Sequence, residues 1–277
     1  MLKFFVLISL LTSVAVLRAQ SLEESYTLGC ELFDLGDLEG ASAVLNRVAY
    51  FDEEGIYKSD CYYKLAITHL ELQEFGMAFK YYEMAIVSCT DLVKANDLIL
   101  EKSLELIKQK RFLNALQELY SLYDLSPEQQ RLNDYLTATA LYGNAEYVEA
   151  EKYFLALVET QKDSVAIDEV FSKIDKKLDP RRPGRARNMS YILPGLGQIY
   201  AGNVKSSLNS VVLIGAIGVL YLSTVAEYGL ISGIITVLPW LSRYHVGGAE
   251  NAKRAMEERQ EKLKSRYYNQ LLLQVRA

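Results

Sequence analysis

The chain has 277 residues and a net charge of −5, but its charges are unevenly distributed. Residues 20–179 contain 30 acidic and 15 basic side chains, whereas residues 180–277 contain 5 acidic and 13 basic ones. The acidic first region argues against a nucleic-acid ligand, because phosphate contacts need clustered Lys and Arg. The basic second region is better suited to contact with anionic lipid headgroups.

Residues 1–19 have the features of a secretory signal peptide. Lys3 precedes an apolar stretch of 14 residues, 4–17, and Ala19 offers a small-residue cleavage point. The apolar stretch is short for a bilayer span. Arg18 beside the cleavage point leaves an uncleaved anchor as the alternative. In either case we expect the following domain to leave the cytoplasm.

Four segments within residues 20–162 repeat one pattern of small and large side chains. The equivalent positions are 37, 37 and 35 residues apart. The first position holds Gly29, Ala66, Ser103 and Ala138, and the second holds Ala41, Ala78, Ala115 and Ala150. The third, after a turn, holds Leu38, Phe75, Phe112 and Tyr147, and the fourth holds Leu45, Tyr82, Leu119 and Phe154.

This pattern resembles the tetratricopeptide repeat (TPR), a pair of antiparallel helices of about 34 residues. The small residues would let the two helices approach closely, and the fourth position would cover the next pair. The resemblance implies a helical solenoid, whose open end residues 163–179 would cap as an amphipathic helix.

The resemblance also implies a concave groove built from the first helix of each pair. The side chains that it would present are Tyr26, Phe33, Tyr63, Leu70, Tyr135 and Tyr142. Carboxylates at Glu23, Asp60 and Glu71 would lie beside them. Such a groove suits a protein or peptide partner with apolar and basic residues. Packing inside the repeats is the alternative use of the same tyrosines.

Residues 180–190 contain prolines, a glycine and several arginines, which predict a basic linker. Residues 191–245 then predict a membrane hairpin. Its first run, 208–226, has 19 residues without a charge, and as a helix it would reach about 28 Å, close to the hydrocarbon thickness of a bilayer. The second run, 228–244, is shorter, so the hairpin either spans the membrane or re-enters it. A buried soluble hairpin is the remaining alternative.

The hairpin opens with the motif P-G-x-G-Q-x-Y-x-G. Its residues are Pro194, Gly195, Gly197, Gln198, Tyr200 and Gly202. Pro194 suits a first helical turn, and the glycines permit tight turns and close backbone packing. Gln198 and Tyr200 combine apolar bodies with polar tips, so we expect them at the water boundary. The motif resembles a family of small bacterial membrane hairpins, which implies a location rather than an activity.

Residues 246–277 predict an amphipathic basic helix that begins after a pair of glycines. The apolar positions are Ala249, Ala252, Met256, Leu263 and Tyr267. Such a helix suits a membrane surface, and docking onto the acidic repeats is the alternative. We therefore predict an all-α fold, in which a TPR-type solenoid precedes a transmembrane or re-entrant hairpin and an amphipathic C-terminal helix.

Export of the chain would leave the basic segments on both sides of the hairpin outside the cytoplasm. This conflicts with the usual preference of positive charge near spans for the cytoplasmic side. Because long preceding domains translocate largely regardless of charge, we expect a periplasmic repeat domain. A re-entrant hairpin would remove the conflict. The sequence does not determine on which side of the membrane the C-terminal tail lies.

The sequence contains no pattern that predicts catalysis, a metal site or a cofactor. His69 and His245 have no metal-ligand spacing, and no triad order or nucleotide fingerprint is present. Cys30, Cys61 and Cys89 lack a CxxC spacing, so we expect them to be small buried side chains. The alternative is that two of them form a disulfide in an oxidising compartment.

We predict a non-enzymatic membrane-anchored adaptor or scaffold that binds a protein partner in the bacterial cell envelope. Its other partner would be the lipid bilayer, with no nucleic acid and no cofactor. The alternative is an accessory subunit of a membrane pore or transporter, in which the hairpin forms a homo-oligomer.

Overall fold

The computed structural model describes residues 21–178 and 182–275 of the chain. These residues form helices joined by short connections, and no β-strand occurs among them. The predicted all-α fold class is therefore confirmed. The predicted signal peptide, residues 1–19, lies outside the described residues. The chain divides into two compact units, an N-terminal unit, Met1–Tyr153, and a C-terminal unit, Phe154–Ala277.

The N-terminal unit consists of successive helix pairs. Its helices are α1 Leu22–Asp34, α2 Leu38–Phe51, α3 Lys58–Glu71, α4 Phe75–Ser88, α5 Leu92–Lys108, α6 Phe112–Leu119, α7 Pro127–Gly143 and the first part of α8 Tyr147–Ala156. Within a pair α1 packs on α2, α3 on α4 and α5 on α6, while α2 and α4 also pack on the first helix of the following pair. Three-residue turns join the two helices of a pair, and such short turns make them antiparallel neighbours.

The repeat positions lie where the sequence predicts them. Each large residue of the third position is the first residue of the second helix of its pair. The alanines of the second position and the large residues of the fourth position are buried. Gly29 lets Leu45 approach closely, because a Cβ there would lie 2.8 Å from Leu45 Cδ2, whereas the other three repeats accommodate Ala or Ser at this position. The spacing of 37, 37 and 35 residues thus corresponds to one helix pair per repeat.

The four turns within the pairs share one backbone conformation. A residue with positive φ occupies the same place in each turn: Gly36, Gln73, Lys110 and Ala145, with φ of 78°, 59°, 57° and 65°. The following N–H donates to a carbonyl five residues back, as from Asp37 to Leu32. This is a Schellman ending, which satisfies carbonyl groups that the helix leaves unpaired. Only the first of the four turns uses glycine.

Side-chain caps begin several helices. Ser21 and Glu24 form a reciprocal capping box at the start of α1, and Ser126 and Gln129 form another at α7. Pro127 follows Ser126 as the first residue of α7, where its missing N–H would have no helical partner in any case. These caps explain why helices begin at these polar residues.

The C-terminal unit is built around one long helix. Besides the end of α8 it contains α9 Gln161–Lys177, α10 Arg182–Ile192, α11 Leu196–Tyr200, α12 Val204–Tyr228 and α13 Leu230–Val275. The 46-residue helix α13 packs against α9, α10, α11 and α12. The predicted capping helix corresponds to α9, and its buried Phe171 lies 6.0 Å from Phe154 between ring centroids.

Two predictions about connections are wrong. Residues 182–190 are not an irregular linker, because helix α10 covers them. Pro183 is the second residue of α10, and a proline in the first turn removes no helical hydrogen bond. The second apolar run and the C-terminal helix are not separate elements, because α13 continues through Gly247 and Gly248. Helix packing outweighs a glycine penalty of about 1 kcal/mol per residue.

The apolar face of the C-terminal segment does not lie free for a membrane surface. Ala249, Ala252, Met256, Tyr267 and Leu271 are buried. The helices that pack against α13 are other parts of the same unit, and a small core joins Ala252 and Met256 to side chains of α10 and the end of α11. The apolar face that we expected to lie on a membrane surface is therefore packed against protein.

Candidate functional site

The helices α12 and α13 form a hairpin with an apolar surface. Helix α12 is the one helix among residues 21–178 and 182–275 that is long and apolar enough to cross a membrane. Only 6% of its most apolar stretch is buried. Exposed apolar side chains on the two helices include Val211, Val212, Val219, Leu220, Leu222, Ile231, Ile235, Leu238 and Trp240. A monomeric soluble protein rarely leaves so continuous an apolar surface exposed.

The two arms of the hairpin have matched lengths. We define its base by Ser210 and Gly248, which contact the same Gln198 side chain, and its tip by Gly229. Residues 211–228 and 230–247 then form arms of 18 residues, about 27 Å each. This length is close to the hydrocarbon thickness of a bilayer, about 30 Å.

The charges lie toward the ends of the arms. Glu227 is at the tip and Arg243 is near the base, and no other Asp, Glu, Lys or Arg occurs in residues 211–228 and 230–247. Tyr228 at the tip and Tyr244 near the base are exposed. Tyr221 and Trp240 lie near the middle of the arms, so the two charges, and not the aromatic rings, are confined to the ends.

Gln198 connects the base of the hairpin, and its placement corrects an expectation. Its side chain has 0% exposure, so it does not lie at a water boundary. The amide nitrogen donates to the Gly248 carbonyl (2.7 Å) and the Ser210 hydroxyl (3.2 Å), and the amide oxygen accepts from the Ser190 hydroxyl (2.9 Å). A buried amide with these partners is satisfied, so Gln198 acts as a junction between helices.

The other motif residues make the close packing around Gln198 possible. A Cβ at Gly197 would overlap the Ala186 carbonyl oxygen, so only glycine fits between α10 and α11. Gly195 has a φ of 92° and Gly202 a φ of 81° at the two ends of α11, a conformation that favours glycine. Pro194 lies in the turn before α11 rather than in a helical turn.

Tyr200, the remaining motif residue, is partly exposed. Its main-chain carbonyl accepts a hydrogen bond from Arg259 of α13. Sequence reasoning did not identify Ser190, Ser210 or Arg259 as partners of the motif. The presence of Ser190 and Ser210 close to apolar segments was the available sequence signal. Their hydrogen bonds to Gln198 could not be predicted, because these contacts depend on how the helices pack together.

The six residues predicted to form the groove occupy two equivalent positions of the first helices. Tyr26, Tyr63 and Tyr135 share one position, and Phe33, Leu70 and Tyr142 share the other. The corresponding residues of α5, which the sequence prediction omitted, are Leu100 and Ile107. The structure thus places the set in rows along the first helices, as the repeat spacing requires.

Most of these side chains are engaged in packing within the unit. The ring of Tyr26 stacks on Tyr57 at 4.5 Å between centroids, and Phe33 lies under the Lys64 ammonium group at 4.5 Å. Tyr142 is only 5% exposed. Tyr26, Phe33, Tyr63, Leu70 and Tyr135 are half-buried. Packing within the unit therefore takes up a large share of the side chains that the sequence assigns to the groove.

A carboxylate lies within the row of tyrosines. Glu101 of α5 accepts hydrogen bonds from the hydroxyl groups of Tyr63 (3.0 Å) and Tyr82 (3.1 Å). Burial, together with the Glu101 charge, raises the pKa of Tyr63 to about 12. Of the predicted rim carboxylates, Asp60 forms an ion pair with Lys94, whereas Glu23 and Glu71 are exposed.

The cysteines are all free thiols. Cys61 is buried, and burial raises the pKa of its thiol to about 12. A thiol that stays protonated is a poor nucleophile and a poor metal ligand. No group of three or more His, Cys, Asp or Glu that could hold a metal ion occurs in the described part of the chain.

This chain matches no protein-family model, no curated protein and no solved structure. The resemblances to the tetratricopeptide repeat and to the bacterial membrane hairpin therefore stay predictions.

Proposed function

We propose that this protein is a non-enzymatic, membrane-anchored adaptor of the bacterial cell envelope, in which TPR-like repeats bind a protein partner. The hairpin of α12 and α13 would hold the repeats at the membrane. The observation that carries the proposal is the apolar surface of the hairpin arms, whose side chains have no protein cover in the C-terminal unit. Lipid is the solvent in which such a surface is stable.

The proposal assigns partner binding to the N-terminal unit. Half-buried rings at Tyr26 and Tyr63 share their helices, α1 and α3, with the exposed carboxylates Glu23 and Glu71. Aromatic edges with neighbouring charges suit a peptide that carries apolar and basic side chains. Export directed by residues 1–19 would place this unit on the periplasmic side.

A pair of lysine substitutions tests the membrane anchor. Leu220 lies near the middle of the α12 arm, and Leu35 lies in the turn after α1; both are exposed. A lysine at the centre of a bilayer costs about 3 kcal/mol. Leu220→Lys should move full-length protein from the carbonate-washed membrane pellet to the supernatant, while Leu35→Lys should not. Wild-type protein in the carbonate supernatant without detergent would rule out the anchor.

Site-specific photocrosslinking in intact cells tests the adaptor role. A photoreactive amino acid in place of Glu71, on the predicted groove rim, should capture a discrete protein partner. The control position is Val148 in α8, which is also exposed but lies on a second helix. Equal capture at both positions, or none at Glu71, would contradict the assignment of the groove.

The alternative function, a subunit that oligomerises through its hairpin, is favoured by one observation. A Cβ at Gly215 or Gly218 would meet no atom within 4 Å, whereas one at Gly233 would contact Tyr221 and Val225 inside the hairpin. Exposed small residues let helices approach closely in lipid. Gly218→Leu should then abolish crosslinked oligomers of the full chain, and unchanged crosslinking would argue against this alternative.

A further inference from the structure

A basic cleft lies in the C-terminal unit, among helices beyond the base of the hairpin and away from its tip. It has a volume of about 320 Å³ and is lined by the end of α9, the start of α10, the end of α11 and the middle of α13. The side chains of Lys177, Arg182 and Arg259 line it together with Tyr200 and Met256. The cleft therefore combines cationic groups with an apolar wall.

The cleft contains positive charge without a matching negative charge. Among the described residues that line it, three are cationic and none is a carboxylate. Arg182 donates to the carbonyls of Lys176 (2.7 Å) and Lys177 (2.5 Å) at the end of α9, and Arg259 donates to the Tyr200 carbonyl (3.3 Å). A guanidinium group has five N–H donors, so these contacts orient both side chains and leave donors for an anion.

A second cleft continues the basic surface toward the hairpin. It has a volume of about 580 Å³, shares Arg259 with the first cleft, and adds Lys205 and Lys262 against one carboxylate, Glu258. Val204, the first residue of α12, also lines it. Seven residues of helix, about 10 Å, separate Val204 from the start of the apolar arm at Val211. The headgroup layer on each side of the hydrocarbon core is about 5–8 Å deep, so this second cleft would lie at the outer edge of that layer.

We propose that the cleft around Arg259 binds the phosphate group of an anionic phospholipid. The inference rests on the proposed function, since it is the hairpin in lipid that would hold the cleft beside the membrane surface, where long Arg and Lys side chains can reach toward the headgroups. Arg and Lys side chains match phosphate oxygens in charge and geometry, and Arg does so through paired N–H groups. Tyr200, which is partly exposed, would contact an apolar part of the same lipid.

Lipid binding by the full-length protein in a nonionic detergent tests this proposal without requiring membrane insertion. The probes are dioctanoyl phosphatidylglycerol, dioctanoyl phosphatidylcholine and inorganic phosphate, with binding followed by calorimetry. Arg259→Gln and Lys177→Gln should each weaken phosphatidylglycerol binding about tenfold, the effect of one lost charge-assisted contact. The matched control is Arg254→Gln, an exposed arginine of α13 that lines neither cleft, which should change binding less than twofold.

Each outcome decides the proposal. Equal effects of Arg259→Gln and Arg254→Gln, or equal binding of phosphatidylcholine, would overturn it. Competition by inorganic phosphate at a similar concentration would show a free-phosphate site and overturn the lipid assignment. Carbonate extraction of the same variants from membranes tests the anchor separately. The anchor can fail while the cleft still binds lipid in detergent, and the cleft can fail to bind lipid while the anchor holds.

Discussion

The side-chain amide of Gln198 donates a hydrogen bond of 2.7 Å to the main-chain carbonyl of Gly248, 50 residues away in sequence. The same amide group contacts Ser210 of α12 and Ser190 of α10. One buried side chain in a five-residue helix therefore joins α10, α11, α12 and α13 at the base of the hairpin. The two arms are held in register where they leave the rest of the C-terminal unit.

Replacement of Gln198 by leucine should destabilise the C-terminal unit by about 3 kcal/mol. The substitution preserves most of the volume but leaves buried polar partners without a hydrogen bond, at about 1–3 kcal/mol for each unsatisfied group. Thermal unfolding of the full chain in detergent measures the change. Gln130→Leu in the exposed surface of α7 is the control, with an expected change within about 0.5 kcal/mol. Equal unfolding temperatures for the two variants would contradict the junction role of Gln198.

Addition of a methyl group at Gly197 should be far more harmful than at Gly184. The Gly197→Ala side chain would overlap the Ala186 carbonyl oxygen and force α10 and α11 apart, whereas Gly184→Ala meets no atom within 4 Å. We expect a loss of at least about 2 kcal/mol in the first variant and a gain of up to about 1 kcal/mol in the second, because alanine favours helix. Chemical unfolding of both variants in detergent checks the sign of each effect.

The Schellman turns predict a stabilising substitution. Ala145 has a φ of 65° at the place where Gly36 has 78°. A residue with a Cβ is strained in this conformation by about 1–2 kcal/mol. Ala145→Gly should raise the free energy of unfolding by about 0.5–1 kcal/mol, after allowing for the greater entropy of glycine in the unfolded chain. Gly36→Ala should lower it by about 1 kcal/mol, and no change in either variant would argue against the shared turn geometry.

Alkaline pH should destabilise the N-terminal unit through Cys61. Burial raises the pKa of this thiol from 9.0 to about 12, so the folded state retains a proton that the unfolded state loses between these values. The stabilising contribution is fully present below pH 9 and falls as pH rises toward 12. Between pH 9 and 12 the free energy of unfolding should decline less steeply in Cys61→Ala than in wild type. A loss of packing energy in the variant would lower the whole curve without changing this slope. An identical decline would contradict the assignment to Cys61.

The repeat positions could be predicted from the sequence because they report local geometry. Small residues recur at the positions where the two helices of a pair touch, as at Ala66 and Ala78. A large residue recurs at the start of the second helix, as at Phe75. The sequence could not decide in the same way which aromatic side chains pack inside the repeats and which remain exposed. Tyr142 is buried and Tyr26 stacks on another ring, since an aromatic side chain in a helix serves packing and binding with the same sequence pattern.

By itself, the sequence determined the all-α class, the helix pairs and the two apolar runs of the hairpin, because periodicity and length act within each helix. The tertiary structure alone decided the burial of Gln198, the continuity of α13 through Gly248 and the use of Met256 for packing. These outcomes depend on contacts between residues that are far apart along the chain. Local propensity is weak, about 1 kcal/mol per glycine, so the burial of side chains between helices overrides it.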